Sequence, residues 1–138
     1  MVIEYRQTAA GLAPAQLPGF FEGWRNPPDP PTHLRLLEGS DLVELAVDTA
    51  TGEVAGFITA ITDGVLAAYI PLLEVRPEYR RRGIGRELVQ RMLDRLGSLY
   101  MIDLVCDPAL QGFYRRFGMA PLAAMAQRNY DRQSGHQA

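Results

Sequence analysis

The six residues Arg80-Arg81-Arg82-Gly83-Ile84-Gly85 combine what a phosphate ligand needs. Gly83 and Gly85 allow positive φ and let the backbone come close to an oxygen ligand. An amphipathic run starts at Gly85, so the unpaired N–H groups and partial positive charge of a helix start fall at the same place. Arg80, Arg81, Arg82 and Arg86 surround it with fixed positive charge. A pyrophosphate is the ligand this arrangement suits. Two other phosphate loops are excluded: the chain has no lysine for a Gly-Lys-Ser/Thr loop, and a G-x-G-x-x-G pattern would need glycine at 88, which is Leu88. Taken alone, R-x-x-G-x-G also fits a helix start with solvated arginines. Seven of the 14 cations lie at 76, 80, 81, 82, 86, 91 and 95, but Glu78, Glu87 and Asp94 are interleaved, as on a solvated helix face.

A few other side chains have reactive types. Glu74 interrupts the apolar run Pro71-Leu72-Leu73-Glu74-Val75, where strand alternation would turn it to solvent. Tyr114 shares a helical stripe with Leu110, Phe113 and Phe117, the usual pattern of a core aromatic. Cys106 sits in an apolar run and reads as a small core residue. His33 reads as a surface residue of a short helix, and His136 falls in a polar tail, residues 131–138, expected to be disordered. Phe20, Phe21 and Trp24 precede a proline cluster and fit a satellite core under a loop.

The elements that must position these groups follow from periodicity. Val2 to Gln7 fits a first strand, and residues 9–40 are irregular or helical, with a short helix over Thr32 to Glu38. Leu42 to Asp48, Glu53 to Ile61 and Val65 to Val75 read as an antiparallel meander, the last two joined at Asp63-Gly64. Pro77 ends the third strand. Leu88, Val89, Met92, Leu93 and Leu96 then make one apolar stripe, closed by Gly97. Leu99 to Cys106 has strand length, and Asp107-Pro108 reads as the N-cap and first residue of a helix that Gly118 ends. Strand, helix, strand over 66–106 makes a right-handed parallel crossover the default. The expected fold is α/β (α+β): one domain over 1–138, a mixed β-sheet with antiparallel N-terminal strands and one parallel crossover, helices on both faces.

Bulk properties narrow the partners. With 138 residues the chain can bury one core without disulfides or metal. A net charge of −2 argues against nucleic acid and a membrane surface. One cysteine makes no internal disulfide, and neither a signal peptide nor an 18-residue apolar span is legible, which points to the cytoplasm. No metal-ligand pattern stands out.

With these elements placed, the chain resembles the GNAT superfamily of N-acetyltransferases. Leu73-Glu74-Val75-Arg76-Pro77-Glu78-Tyr79-Arg80-Arg81-Arg82-Gly83-Ile84-Gly85 looks like that family's acetyl-CoA motif. Phe113-Tyr114-Arg115-Arg116-Phe117-Gly118-Met119 looks like its second signature, about thirty residues on. The clear match covers 54–119. The resemblance implies acetyl-CoA as co-substrate, no metal, and transfer to a primary amine of a small molecule or peptide by direct attack in a ternary complex. Pantetheine would lie where the strand ending near Val75 splays from Tyr100 to Cys106, bonding the main chain at Leu73 and Val75. Backbone N–H groups from Arg81 to Arg86 would hold the pyrophosphate.

The same resemblance gives Tyr114 the role of proton donor to the leaving thiolate. The acceptor must lose a proton before it attacks, since an amine of pKa about 10.4 is neutral only roughly once in a few thousand at pH 7. A general base is therefore useful, and Glu74 is the candidate, although no motif transfers that role. A non-catalytic acyl-CoA-binding module on the same fold is the rival reading. There are two departures from the family pattern. Asp107 stands where the family often has Asn; an ionised Asp cannot donate a hydrogen bond, so the resemblance does not carry that cofactor contact over. The stretch after Gly118, Met119 to Tyr130, supplies one strand rather than a long hairpin, so the acceptor side is either open or completed by a second subunit, as in a homodimer.

Overall fold

The computed structural model describes residues 1–136. Six strands form one mixed sheet in the order β1-β2-β3-β4-β6, with β5 on the same edge of β3 as β4. The strands are β1 (Ile3–Arg6), β2 (Leu42–Asp48), β3 (Val54–Thr62), β4 (Ala67–Tyr69), β5 (Leu73–Val75) and β6 (Met101–Asp103). All pairs are antiparallel except β4 with β6, whose partners run Ala67 to Met101 through Tyr69 to Asp103. The connection between those two is helix α2 (Ile84–Leu96), the expected crossover.

Two apolar layers sandwich the sheet. On one face α2 buries Ile84, Leu88, Val89, Met92 and Leu96 against Ala46, Ile58, Ala60 and Ile70. Each such side chain stabilises by about 1.5–3 kcal/mol. Helix α3 (Gln111–Arg115) adds Tyr114 to this layer. On the other face α1 (Pro30–Gly39) and the irregular stretch before it cover Val43, Leu45, Val47 and Phe57. Asp29 caps α1, accepting from the Thr32 N–H at 2.9 Å, so the proline cluster opens this helix rather than breaking it.

Gly56 on β3 lets the α2 layer approach closely. A Cβ there would stand 3.2 Å from each of the Glu74 carbonyl oxygen, Leu88 Cδ1 and Val75 Cγ2. Farther along, Glu44 points from β2 toward α2, fully buried, and Arg95 Nη1 reaches it at 2.6 Å while also bonding the Val43 carbonyl. This pair ties the last turn of α2 to the sheet.

Several expected elements are shorter. The strand expected over 65–75 divides into β4 and β5, because Pro71 has no N–H to continue a ladder. The strand expected over 99–106 is paired only at 101–103, and the helix after Asp107 begins with a 3₁₀ turn over Pro108–Leu110. Met119 to Tyr130, expected to supply one strand, contains none. Of the tail, residues 131–136 lie beside the start of α1, with Thr32 Oγ1 3.4 Å from His136 Nε2 and the Asn26 N–H donating to Gln133 Oε1 at 2.8 Å; 137–138 lie outside the described residues. Among the described residues no helix is long and apolar enough to cross a membrane, and no group of three metal-ligating side chains occurs.

Removing the cation of the buried pair strands a carboxylate, so Arg95→Leu is expected to destabilise the fold by about 3–5 kcal/mol. Urea unfolding of the single variant, and of Glu44→Leu/Arg95→Leu, which should recover most of the loss, checks this.

Candidate active site

The site begins where the sheet comes apart. The Ile70 N–H donates to the Asp103 carbonyl at 2.9 Å, which is the last bond between this part of the chain and β6. Beyond Pro71 the chain continues as β5 and pairs with β3 alone. Thr59 N–H bonds the Leu72 carbonyl and Arg76 N–H bonds the Ala55 carbonyl, so the even-numbered residues face β3. Strand alternation therefore turns the N–H and C=O groups of Leu73 and Val75 away from β3 and toward the opening. Arg80 Nε bonds the Val75 carbonyl from that side at 3.0 Å. The Leu73 and Val75 backbones thus face the opening, with the Val75 carbonyl already accepting from Arg80.

The loop after β5 is pinned at its base. Arg76 is ion-paired to Glu53 and Glu78. The Tyr79 hydroxyl donates to Asp48 Oδ2 at 2.7 Å, a bond that holds the Asp48 carboxyl below its ordinary pKa. The chain then turns sharply, with Arg81 at φ +63° and Gly83 at φ +80°. The left-handed Gly83 is followed directly by the right-handed first residue of α2, a succession that makes a backbone concavity suited to anions. Arg81 has no exemption from strain there, and a left-handed non-glycine residue costs on the order of 1–3 kcal/mol. The first helical bond runs from Glu87 N–H to the Gly83 carbonyl, so Ile84, Gly85 and Arg86 present their N–H groups outward at the positive end of α2. Nothing lies within 4 Å of where a Gly83 Cβ would stand, so the space beside it is open.

Loop, open strand edge and α3 enclose a cleft of about 470 Å³. Leu73, Glu74 and Val75 line it, with Arg80, Arg81, Gly83, Ile84, Gly85 and Arg86 at the loop end. Tyr114 lines it from α3. Its ring is buried, burial pushes its pKa up to about 12, and its hydroxyl bonds no other group among the described residues. It is therefore a neutral hydrogen-bond donor across the working pH range. Tyr79, Leu110 and Phe113 also line the cleft, although sequence reasoning did not place them there. Their signal was position: Tyr79 precedes the arginines, and Leu110 and Phe113 share the stripe of Tyr114. Arg82 is the exception among the expected cofactor-binding residues. It is exposed and reaches Met1 Sδ rather than lining the cleft.

On the opposite face Glu74 is fully engaged. Its two oxygens accept from the N–H groups of Phe21 at 2.8 Å and Glu22 at 3.2 Å. Phe21 itself is left-handed, at φ +63°, so this carboxylate holds a strained loop. Glu22 in turn receives Arg80 Nη2 at 2.6 Å. One chain of contacts thus links the anion loop to residues 21–22.

His33 overturns the expectation of a surface position. It is 1% exposed, wedged among Phe20, Phe21 and Phe57 with ring centroids 5.2, 4.8 and 4.5 Å away. Phe57 on β3 anchors the cluster, so Phe20 and Phe21 belong to a satellite core, with Trp24 at its solvent edge. Among the described residues neither ring nitrogen of His33 has a partner, and burial depresses its pKa to about 4.

The family model of the acetyltransferase (GNAT) family matches residues 10–119. A crystal structure from Deinococcus radiodurans R1, assigned as an acetyltransferase, is similar with a TM-score of 0.94 and 48% identity, over 99% of this chain and 94% of that one. A GNAT family protein from Streptococcus pneumoniae TIGR4 shares the fold at 24% identity and a TM-score of 0.74, over 93% and 98%. Mycothiol acetyltransferase of Segniliparus rotundus is 39% identical over 56 residues. That stretch is 40% of this chain and 21% of the relative, so the match spans about a fifth of the relative's length.

The buried imidazole sets an acid limb. Unfolded, His33 takes a proton near its ordinary pKa of 6.5; folded, it does so only near 4. Stability is therefore lost as pH falls through that window, by about 2 kcal/mol between pH 7 and 4.5. Urea unfolding at both pH values should show this loss in the wild type and not in His33→Leu.

Proposed function

The chain belongs to the acetyltransferase (GNAT) family, and from that premise we propose that it transfers an acetyl group from acetyl-CoA to a primary amine by direct attack in a ternary complex. The observation that carries this reading is the single cleft in which an anion-binding loop, an open strand edge and a free tyrosine hydroxyl meet.

The residues fit each part of the co-substrate. The N–H groups from Arg81 to Arg86 and the charge of Arg81 and Arg86 hold the pyrophosphate. The outward main chain of Leu73 and Val75 takes the amide groups of pantetheine in strand fashion. Pantetheine running from the loop back along β5 passes Val75 before Leu73, so the Leu73 N–H is the backbone donor nearest the thioester carbonyl, where negative charge develops on attack. The amine nitrogen forms a bond to the carbonyl carbon, the C–S bond breaks, and the amine proton passes to water.

The thiolate leaves toward Tyr114. An ordinary thiol has a pKa of about 8.5, below that of the buried phenol, so full proton transfer from Tyr114 is uphill. We assign Tyr114 as a hydrogen-bond donor that stabilises the departing sulfur, a bond to a charged group worth about 1.5–3 kcal/mol. Glu74 is the candidate general base as the carboxylate beside the splay, on the face of the sheet opposite the cofactor cleft. Its engagement with Phe21 and Glu22 supports a second role, and we assign it as the residue that positions the acceptor-side loop. Glu22 and Glu74 near that side favour an acceptor carrying positive charge.

Acetyl-CoA at 100 times its Kd adds about 2.7 kcal/mol and should raise the melting temperature by on the order of 8 °C. Gly83→Glu, which puts bulk and negative charge into the loop, should abolish the shift. An unchanged melting temperature for the wild type at millimolar acetyl-CoA would sink the proposal, and a shift without thiol release over a panel of amines would make this an acyl-CoA-binding module.

Kinetics separate the two assigned residues. Tyr114→Phe should lower kcat roughly 10- to 100-fold with acetyl-CoA affinity unchanged. If Glu74 only positions the loop, kcat/KM rises about tenfold per pH unit from 6.5 to 8.5 as the amine deprotonates. Glu74→Gln should keep that slope and raise the acceptor KM. A flat wild-type profile that becomes steep in Glu74→Gln would restore Glu74 as the base.

A further inference from the structure

Arg80 joins two places that the proposed reaction uses separately. Its Nε donates to the Val75 carbonyl at 3.0 Å, from the side of the opening, and its Nη2 donates to Glu22 Oε2 at 2.6 Å. One side-chain head thus bridges the open edge of β5 and the loop at residues 21 and 22. The Val75 carbonyl is one of the main-chain groups assigned above to pantetheine. A pantetheine amide that pairs with it approaches from the same side and takes the position of Arg80 Nε. The guanidinium is rigid and planar, so moving Nε off Val75 also moves Nη2. A new partner is close, since Arg80 lines the loop end of the cofactor cleft beside the N–H groups assigned to the pyrophosphate. Opening the ion pair costs little, because its side chains are 46% and 54% exposed.

Glu22 is what that movement uncovers. Glu22, Glu74 and Glu78 are the carboxylates around this mouth. Glu74 is engaged by the Phe21 and Glu22 N–H groups, and Glu78 is paired with Arg76. The Glu22 side chain is held only by Arg80 among the described residues. Its backbone does not depend on that pair, since its own N–H is anchored on Glu74 Oε2 at 3.2 Å. Once Arg80 moves, a carboxylate stays in place without a counter-charge, beside the strand edge assigned to pantetheine. The group that Arg80 now supplies defines what fits there: a cation with hydrogen-bond donors, a guanidinium or an ammonium. That cation is not the attacking nitrogen, which must be neutral to react. It is a second charged group on the same acceptor.

We propose that Glu22 is the subsite for a second, cationic group of the acceptor, and that Arg80 occupies it as an internal stand-in until acetyl-CoA takes the Val75 carbonyl. The acceptor is then a primary amine that carries a further ammonium or guanidinium group, and the co-substrate opens the site that binds it. The coupling is reciprocal: a cofactor that strengthens acceptor binding is itself strengthened in the same ratio. The co-substrate half rests on the proposed acetyl transfer. The masking of Glu22 by Arg80 does not, and it is testable without any cofactor.

Isothermal titration calorimetry with agmatine, which has a primary amine at one end and a guanidinium at the other, tests both halves, with butylamine as the single-charge control. Without cofactor, Arg80→Leu should bind agmatine about tenfold more tightly than the wild type. Adding Glu22→Gln to Arg80→Leu should remove that gain, and butylamine should show none of it. Equal agmatine affinity in the wild type and Arg80→Leu, or a gain that survives Glu22→Gln, would overturn the proposal. Both side chains are about half exposed, so the variants should keep the wild-type urea midpoint. Saturating CoA should then tighten agmatine binding to the wild type by about tenfold and leave Glu22→Gln unchanged. A melting temperature raised by CoA with no change in agmatine affinity would overturn the gating by co-substrate. A gain in Arg80→Leu together with no melting shift from CoA would sink the acetyl-transfer reading and leave the masked subsite standing.

Discussion

The structure turns on the place where one chain segment stops pairing with its neighbour. Between Ile70 and Leu73 the strand leaves β6 and keeps only β3. A buried backbone polar group without a partner is costly, so an interior strand edge needs a reason to stay open. Pro71 supplies the local cause, since it has no N–H with which to continue the ladder. The consequence is a row of main-chain groups at Leu73 and Val75 that faces a cleft instead of a strand. The anion loop, α2 and α3 are arranged around that opening.

Close packing then carries the loop to the same spot. Gly56 admits Leu88 and Val75 to within contact, so the start of α2 sits directly over β5. Tyr79 on Asp48 and Arg76 on Glu53 fix the chain just before the turn. The strain at Arg81 survives because both flanks are held, and what it yields is a backbone concavity in front of a helix N-terminus. The strained residue and the open helix N-terminus share one location.

The two sides of the sheet are connected through few atoms. Arg80 touches the Val75 carbonyl and Glu22; Glu74 holds the N–H groups of Phe21 and Glu22. Through Arg80 and Glu22 the turn before α2 is joined to the loop at residues 21 and 22. Below that loop lies an aromatic cluster with an unpaired imidazole in it, a polar group whose cost is borne by the surrounding burial.

Local pattern by itself determined much of this protein. The glycines at 83 and 85, the stripe at 84, 88, 89, 92 and 96, the turn at Asp63-Gly64 and the spacing from the loop to Tyr114 are short-range facts, and a chain writes them in residue types. They were sufficient for the mixed sheet, the crossover helix and the glycine turn that opens it. Tertiary structure alone decided the rest. His33 lies on a helix whose pattern shows which face is apolar but not that Phe57 and Phe20 close over it. Arg82 differs from Arg80 and Arg81 only in the direction the turn sends it. Glu74 alternates away from the apolar face, and only the fold brings the N–H groups of residues 21 and 22 to meet it. The segment 119–130 is long enough for a strand and forms none, because a ladder needs a partner whose position no single segment encodes.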